Sequence, residues 1–481
     1  MEINRRMSRR CAGVLAVLVL LAIAMLLACN STYSASSDGL VLVPSFGSAA
    51  VQAFSFNLTN GHVSTVNTAP PILGQPTAMV LDPSGAYAYV TIVPNPPPGV
   101  FQSVALSSIA TYAINSDGTV ADASTPPSML TICPNTLPPP APPYVSCPAL
   151  LPTDPSFNPA AGKLNPTAVT MDSAGKYLFV ADQQTTDYNG NAVPGTISVF
   201  SIGSGGALTE VTGSPFTVPP LLTGPVTIPN LVGLAVTPTQ YPVLNTQAVG
   251  NAQCALVQQL PPSTPEYLYV TDANNNWLWG FTVQSTGALQ PIGYPNNVVI
   301  FPAYSVTTGV AVDPCNRFVY VTNKRSNNVS AYAICNSTSP ARPSICDTNQ
   351  YPAGYLVEVP NSPFALGGGT SSPNGPTVLQ VDPLANFLYV VDNQSNQLSC
   401  FRITQVNGGL APLSTSSVAT GINPAAIAIR ADDNWVFVAN NETLNGFGVL
   451  SQYELAPATG ILTPFGAGIQ TDNFPTAVVV K

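Results

Sequence analysis

The chain has 481 residues, only 7% of them charged, with 50 Pro, 36 Gly and a formal net charge of −9. A soluble domain usually holds roughly 25% charged residues, and an acidic, Lys-poor surface repels phosphate backbones, which excludes a nucleic-acid partner. A hydrophobic share of 45% is enough for a large core, and Pro and Gly at these counts divide it into many short elements joined by turns rather than long helices.

The first 28 residues read as an export signal. Arg5, Arg6, Arg9 and Arg10 form a basic segment, and an unbroken apolar run from Ala12 to Ala28 follows, which together with a small-residue cleavage site is the export pattern. A membrane span is the competing reading, although the run is just short of the roughly 20 residues a bilayer needs. The quartet Leu26-Leu27-Ala28-Cys29 resembles the bacterial lipobox, in which the cysteine becomes the lipidated first residue; an ordinary signal peptide with an incidental cysteine is the alternative. Asn30 in place of Asp resembles the sorting signal for outer-membrane delivery. The expected product is an outer-membrane lipoprotein, periplasmic or surface-exposed, with Cys29 lipidated and residues 29–38 as a short tether. Cleavage removes four Arg and Glu2 from the 13 Lys+Arg and 22 Asp+Glu, leaving 9 against 21, a net charge of −12.

Of nine cysteines, Cys11 leaves with the signal and Cys29 takes the lipid. Export to an oxidising compartment favours disulfides among the rest. Cys133 with Cys147 and Cys335 with Cys346 each bracket an insertion, and each pair would close a loop worth about 3 kcal/mol. Cys254 and Cys315 pair if adjacent repeats bring them together, which leaves Cys400 unpaired. Metal binding is the rival reading, but no CxxC occurs and His62 is the one histidine, so no metal or other cofactor is expected.

From residue 39 onward one pattern recurs: a Pro-led β run, a turn, then a second β run ending in Asp or Asn. It reads PTAMVLDPSGAYAYVTI from Pro76, PTAVTMDSAGKYLFVAD from Pro166, VGLAVTP from Val232 resumed as EYLYVTD, TGVAVDPCNRFVYVTN from Thr308, PTVLQVDPLANFLYVVD from Pro376 and PAAIAIRADDNWVFVAN from Pro424. A third strand and a Gly-centred hairpin follow, as in SDG at Ser116, SGG at Ser204, STG at Ser285, NGG at Asn407 and ATG at Ala458. Runs of β-branched and aromatic residues with such turns are strand and hairpin signals, and repeats of four strands are propeller blades. A further unit is split. GLVLVPSF, AVQAFSFN and TNGHVSTV near the N-terminus supply its second, third and fourth strands, and PTAVVVK, residues 475–481, supplies its first. The expected fold is therefore all-β, a seven-bladed propeller spanning 39–481, a monomer whose termini close the ring and leave no open sheet edge at the seam.

Strand order fixes two faces. Turns between first and second strands lie with the Gly hairpins on one, the hairpin face. Turns between second and third strands lie with the blade-to-blade crossovers on the other, the crossover face. Most long insertions, Pro94–Gln102, 122–165, Gln183–Gly195 and 217–230, are expected on the crossover face, and 238–265 on the hairpin face. Loops on a rigid scaffold carry binding, so a site is expected on the crossover face.

The runs YVTD, YVTN, YVVD and FVAN, with GALTEVTGSPF from Gly206 and GYLVEVPNSPF from Gly354, resemble the YVTN-type, lactonase-like seven-bladed propellers. That family includes 6-phosphogluconolactonases and muconate cycloisomerase relatives alongside bacterial surface proteins with no established activity. The resemblance implies the fold, and for the enzymes it implies His, Arg and Glu around a central channel, since lactone hydrolysis needs a base for water and a cationic oxyanion partner. Here His62 sits in a hairpin of the split blade, on the hairpin face; Arg317 and Arg430 lie in first-to-second-strand turns, also on that face. Lys324 and Arg325, after YVTN, are the cations on the crossover face and could meet an anion, a solvated turn pair being the alternative. Asp182, Asp272, Asn323, Asp392 and Asn440 end the second strands. They invite a ligand or Ca²⁺ reading, against which stands repeated turn capping of the backbone two residues on. Tyr87, Tyr89, Tyr177, Phe179, Tyr267, Tyr269, Tyr320, Phe387 and Tyr389 alternate as packing between blades requires; Trp277, Trp279 and Trp435 support no carbohydrate stack. P-loops, dinucleotide fingerprints and haem motifs are absent, and with no histidine in reach Ser-His-Asp and His-metal chemistry are excluded. The sequence thus points to a lipid-anchored envelope scaffold that binds an unnamed protein or small molecule, with a sugar lactonase as the alternative.

Overall fold

Each blade is ordered by the same few residues in the same register. The computed structural model describes residues 38–69, 74–93, 107–122, 129–131, 165–183, 185–186, 192–219, 227–238, 265–293, 300–335, 346, 351–366, 375–441 and 446–481. Apart from a two-stranded hairpin, Thr185–Thr186 with Ala192–Val193, they form seven antiparallel sheets, one per blade, each ordered first to fourth strand from the axis outward. Blade 1 is the split one, with Val479–Val480 pairing Asp38–Ser45, then Ala50–Asn57 and Val63–Thr68. The first strands of blades 2 to 7 are Gln75–Leu81, Pro166–Met171, Leu231–Val236, Thr307–Val312, Pro376–Val381 and Pro424–Ile429. These inner strands contact one another in sequence around the axis, and Val479–Val480 lies between those of blades 7 and 2, closing the circle.

In blades 2, 3, 5 and 6 the first turn is built by its Asp, and in blade 4 the Tyr267 N–H donates to Thr237 Oγ1 at 2.8 Å instead. The Oδ1 atoms of Asp82, Asp172 and Asp382 accept the backbone N–H of Tyr87, Tyr177 and Phe387, each at 2.6 Å, and Asp313 accepts that of Phe318 at 2.9 Å. In blade 7 Arg430 occupies this slot with the same backbone bond pattern. A bulge then follows the leading residue of every first strand; register slips between Pro76 and Ala78, Leu231 and Gly233, Thr307 and Val310, Pro376 and Val378, and Pro424 and Ala426. A bulge re-aims the side chain it lifts out of the ladder, and here it sends threonine hydroxyls to the next blade: Thr167 Oγ1 donates to the Leu231 carbonyl at 3.3 Å, and Thr308 Oγ1 to that of Pro376 at 3.1 Å.

The core is distributed as seven apolar clusters, one in each seam between neighbouring blades. The aromatic residues expected between blades are there. Tyr89, Tyr267, Tyr269, Tyr320, Tyr389, Phe179 and Phe387 are fully buried, and Tyr87 is half-buried. The phenols of Tyr269, Tyr320 and Tyr389 donate to the carbonyls of Gly354, Gly408 and Gly460 in the next blade's hairpin, at 2.7, 3.1 and 2.8 Å. These three hydroxyls are buried without an orphaned proton, whereas those of Tyr89 and Tyr267 have no partner among the described residues.

Two details differ from the sequence reading. The closing segment 475–481 is not one continuous strand: Pro475 bridges Ser45, a bulge follows as in the other first strands, and the ladder resumes at Val479–Val480 against Leu42 and Val41. The fourth strand of blades 2 to 5 is broken in two, as in Tyr355–Glu358 and Phe364–Ala365; in blades 3 and 5 the Pro of an SPF turn, Pro215 or Pro363, has no N–H for the ladder. Cys335 and Cys346 form the expected disulfide, Cys315 is also disulfide-bonded, and Cys400 is free and buried. Cys29, Cys133, Cys147 and Cys254 lie outside the described residues, as do the signal segment and parts of the long insertions. No helix among the described residues is long and apolar enough to cross a membrane.

Candidate functional site

The crossover face is assembled from two kinds of segment: turns between second and third strands, and the crossovers that lead into each first strand. In blades 4, 5 and 6 the turns are Asp272–Trp277, Asn323–Asn328 and Asp392–Gln397. Their terminal Asp and Asn side chains point into the sheet. Each bonds the side chain two residues beyond its pair on the third strand: Asp182 accepts from Ser198 Oγ at 2.8 Å, Asp272 from Trp279 Nε1 at 3.2 Å, and Asp392 from Ser399 Oγ. Asn323 and Asn440 donate to Ser330 and Ser451 Oγ, each at 2.9 Å. Among the described residues, Asp272 alone also makes the expected cap two residues on, from the Asn274 N–H at 3.2 Å. All five are buried, and burial pushes the Asp182 and Asp392 carboxyls up to about 7, against the lowering effect of their serine partners. These groups hold second and third strands together where the loops emerge.

Sequence reasoning did not find the asparagines that position the crossovers. Asn276, Asn327 and Asn396 each stand four residues after the Asp or Asn that ends the second strand, in the left-handed region at φ 57°, 52° and 55°. Asn tolerates that conformation better than other side chains, and each uses its Oδ1 to accept a backbone N–H from the segment leading into the next blade. The donors are Val306 at 2.6 Å, Gly375 at 3.1 Å and Asn423 at 2.7 Å. The signal was the recurrence of Asn at that offset.

Lys324 and Arg325 are the members of the candidate set that reach the surface, half-buried and exposed respectively. Their backbone N–H groups donate to Val306 and Ser305, at 2.9 and 3.2 Å, which sets them beside Tyr304, 41% exposed. Neither forms an ion pair among the described residues. Arg317 and Arg430 lie in hairpin-face turns: Arg317 is buried against Asp313 at 2.7 Å and donates to Gln405 at 2.8 Å, and Arg430 pairs with Asp432. Around the axis, the inner strands carry Thr, Ala, Val, Gly, Ile, Leu, Met, Pro and Gln, and no titratable side chain.

Exposed large apolar side chains are unevenly distributed. Seven occur among the described residues, and five of them, Ile228, Tyr304, Ile422, Phe447 and Phe474, are on the crossover face; Tyr351 and Val406 are in hairpins of the other. Ile422, Phe447 and Phe474 all flank blade 7, where the Asn441 N–H reaches the Asn423 carbonyl and that of Gly448 the Asp472 carbonyl.

His62 is exposed in the hairpin of blade 1, as expected, its N–H donating to Asn60 Oδ1 at 3.0 Å. It is not isolated there. A cavity of about 200 Å³ is lined by Asp38, Ser55, Asn57, Asn60, His62 and Ser64, so a serine, a histidine and a carboxylate do share one corner, contrary to the sequence reading. The imidazole bonds none of them; Ser55 and Ser64 hydroxyls bond each other at 3.2 Å and Asp38 accepts from Asn57 at 3.2 Å. A nucleophile–base bond, the first requirement of a triad, is not formed.

A family model described as Lactonase, 7-bladed beta-propeller matches residues 349–480, the outer edge of blade 5 through to the closing strand. No match is found among curated proteins. The structure of the Pseudomonas aeruginosa periplasmic gluconolactonase is similar at TM-score 0.61 and 15% identity, covering 92% of this chain and 99% of that one. A Bacteroides fragilis protein assigned as a 6-phosphogluconolactonase is similar at TM-score 0.60 and 17% identity, over 92% and 98%; a Lactobacillus plantarum protein is similar at 0.60 and 14%, over 92% and 99%. At these identities the structures share the fold.

Proposed function

We propose that this lactonase-like seven-bladed propeller is an exported, lipid-anchored binding scaffold of the cell envelope, and that its crossover face is the binding face. The observation that carries this reading is the one-sided distribution of exposed large apolar side chains, five of seven among the described residues lying on that face, because apolar groups left in water favour a partner that covers them. Lys324 and Arg325 add positive charge to that face on a chain of net charge −9, which favours an acidic or anionic group in the partner. Asp38 opens the second strand of blade 1 from the hairpin face, the side opposite the proposed binding face.

Site-specific photo-crosslinking in intact cells tests this. A crosslinker at Phe447 is expected to give discrete adducts that one at Val406, on the hairpin face, does not; equal labelling from both positions would overturn the reading. The anchor has its own test: Cys29→Ala is expected to move the protein from the membrane to the soluble fraction, and failure of the wild type to incorporate labelled fatty acid sinks the lipoprotein assignment.

The family match over residues 349–480 favours a second reading, hydrolysis of a sugar lactone, with Lys324 and Arg325 receiving the anionic end of the substrate. Purified protein assayed on 6-phosphogluconolactone and simpler lactones decides it. Activity abolished in Lys324→Ala/Arg325→Ala supports this site, and activity that survives both replacements places catalysis elsewhere.

A further inference from the structure

The seam between blades 6 and 7 contains a contact that the other hairpin-face turns lack. The fourth residue of each first turn is left-handed: Gly85, Gly175, Asn316, Ala385 and Asp433, with φ of 66°, 67°, 55°, 58° and 59°. Blade 7 alone among these puts a carboxylate there. Asp433 is fully buried, as is Asp382 of blade 6, and the repeat sets the two side chains against each other across the seam: at the equivalent position of blade 2 a Cβ on Gly85 would stand 2.7 Å from the side chain of Lys481, which occupies the Asp382 position of blade 1. Asp382 Oδ1 accepts the N–H groups of Asn386 and Phe387 at 2.7 and 2.6 Å. Its Oδ2 and both oxygens of Asp433 have no partner.

Two ionised carboxylates are acceptors only, so three orphaned oxygens in one buried contact would be costly. The charged groups nearby do not relieve it. Arg430 is held by Asp432 in the same turn, Arg402 lies over the Phe387 ring at 4.8 Å, and Lys481 Nζ donates to the Gly85 carbonyl at 3.0 Å. The Tyr389 phenol is spent on the Gly460 carbonyl, and Cys400, which faces Tyr389, is a buried thiol.

We infer that Asp382 and Asp433 share one proton across this seam, and that loss of the proton loosens blade 7 from blade 6, a pH-sensitive clasp in the ring. One carboxylic acid donating to one carboxylate satisfies the contact with no other group. Burial, and for Asp433 also the Asp382 and Asp432 charges, holds both above the usual carboxylate range. A carboxyl raised in the fold contributes stability that is complete below its unfolded value and is lost as pH rises through its folded one.

Hydrogen-exchange mass spectrometry on the full chain at pH 6 and pH 9, corrected for intrinsic rates, tests the clasp. Amides of 376–381 and 424–429 are expected to exchange at least about tenfold faster at pH 9, a change of about 1.4 kcal/mol in opening, while 307–312 in blade 5 change less. In Asp433→Asn the amide donates to Asp382 permanently, and the pH step at this seam is expected to vanish. Asp433→Gly restores the residue blades 2 and 3 use and removes the pair, and is expected to lose the step too. A seam with equal protection at both pH values, a step that persists in both variants, or a wild-type step abolished by 1 mM Ca²⁺ would overturn the proposal, the last in favour of a cation between the carboxylates.

Discussion

The hydroxyl of Thr476 donates to the carbonyl of Pro76, 400 residues away in sequence, at 3.2 Å. It is the same bond that Thr167 and Thr308 make to the blades after theirs, so the seam between the termini is built like the interior ones. The Lys481 N–H and the Leu40 carbonyl meet at 2.8 Å, and that of Phe46 and the Phe474 carbonyl at 2.8 Å. Deleting residues 475–481 therefore removes a first strand and its share of two seam clusters. Thermal melting of the truncated protein is expected to fall as one cooperative unit, with a loss of several kcal/mol, whereas Thr476→Val is expected to cost only about 1 kcal/mol, one hydrogen bond. Unchanged melting on truncation would contradict closure of the ring by this segment.

The seam between blades 7 and 1 carries an aromatic contact. Gly61 is left-handed at φ 67°, and a Cβ there would stand 2.5 Å from the Trp435 ring and 2.8 Å from that of Phe465. Gly205, at φ 71°, would meet nothing within 4 Å. Both substitutions to Ala incur the left-handed penalty of about 1 kcal/mol, and Gly61→Ala adds an overpacking cost of about 1–3 kcal/mol. Chemical denaturation is expected to rank Gly61→Ala as clearly the more damaging; equal effects would mean the indole moves aside freely.

Stability should depend on pH with an unusual sign. Burial pushes Asp182 and Asp392 up to about 7, and burial with the Asp172 charge pushes Glu266 up to about 8. All three lie above their values in an unfolded chain, near 4, so the fold binds more protons than the unfolded state between about pH 4 and 8. Their stabilisation is complete below about pH 4 and declines as pH rises through 7–8. The melting temperature is expected to fall from pH 5 to pH 8.5, and Asp182→Asn, which keeps an acceptor for Ser198, is expected to flatten part of that slope. A melting temperature that rises over this interval would show that these acids are ionised in the fold.

The architecture was legible because each repeat carries its own pattern: β runs ending in Asp or Asn, a Pro-led first strand, and Tyr or Phe at alternate positions. The split blade was legible for the same reason, since GLVLVPSF lacks a first strand and PTAVVVK lacks the other three. What escaped was contact between repeats. Nothing local distinguishes Asn276 or Asn327 from other turn asparagines; their role exists only because the next blade presents an N–H at that point. Asp433 was hidden likewise, being an ordinary turn residue in RADDN until Asp382 of the neighbouring blade is placed against it. The candidate site was legible as a face and as Lys324 and Arg325, but the apolar residues around it are scattered singly in sequence, at positions from 228 to 474, and only closure of the ring puts them on one side.

Asn276 offers the most direct test of how that face is held. Its Oδ1 accepts the Val306 N–H at 2.6 Å, Val306 is itself left-handed at φ 56°, and the Val306 carbonyl accepts the Lys324 N–H at 2.9 Å. A β-branched residue in this region is unfavourable and persists only when its surroundings enforce it. Asn276→Ala removes the acceptor and adds a left-handed penalty, an expected cost of about 2–4 kcal/mol. It is expected to speed hydrogen exchange at Val306 and Lys324 more than at any first-strand amide of blade 2. Asn276→Asp keeps the acceptor and the left-handed tolerance, and is expected to remain close to wild type in both measurements. If the Ala and Asp variants exchange alike at Lys324, the side chain does not hold the crossover, and the backbone turn alone sets the position of Lys324 and Arg325.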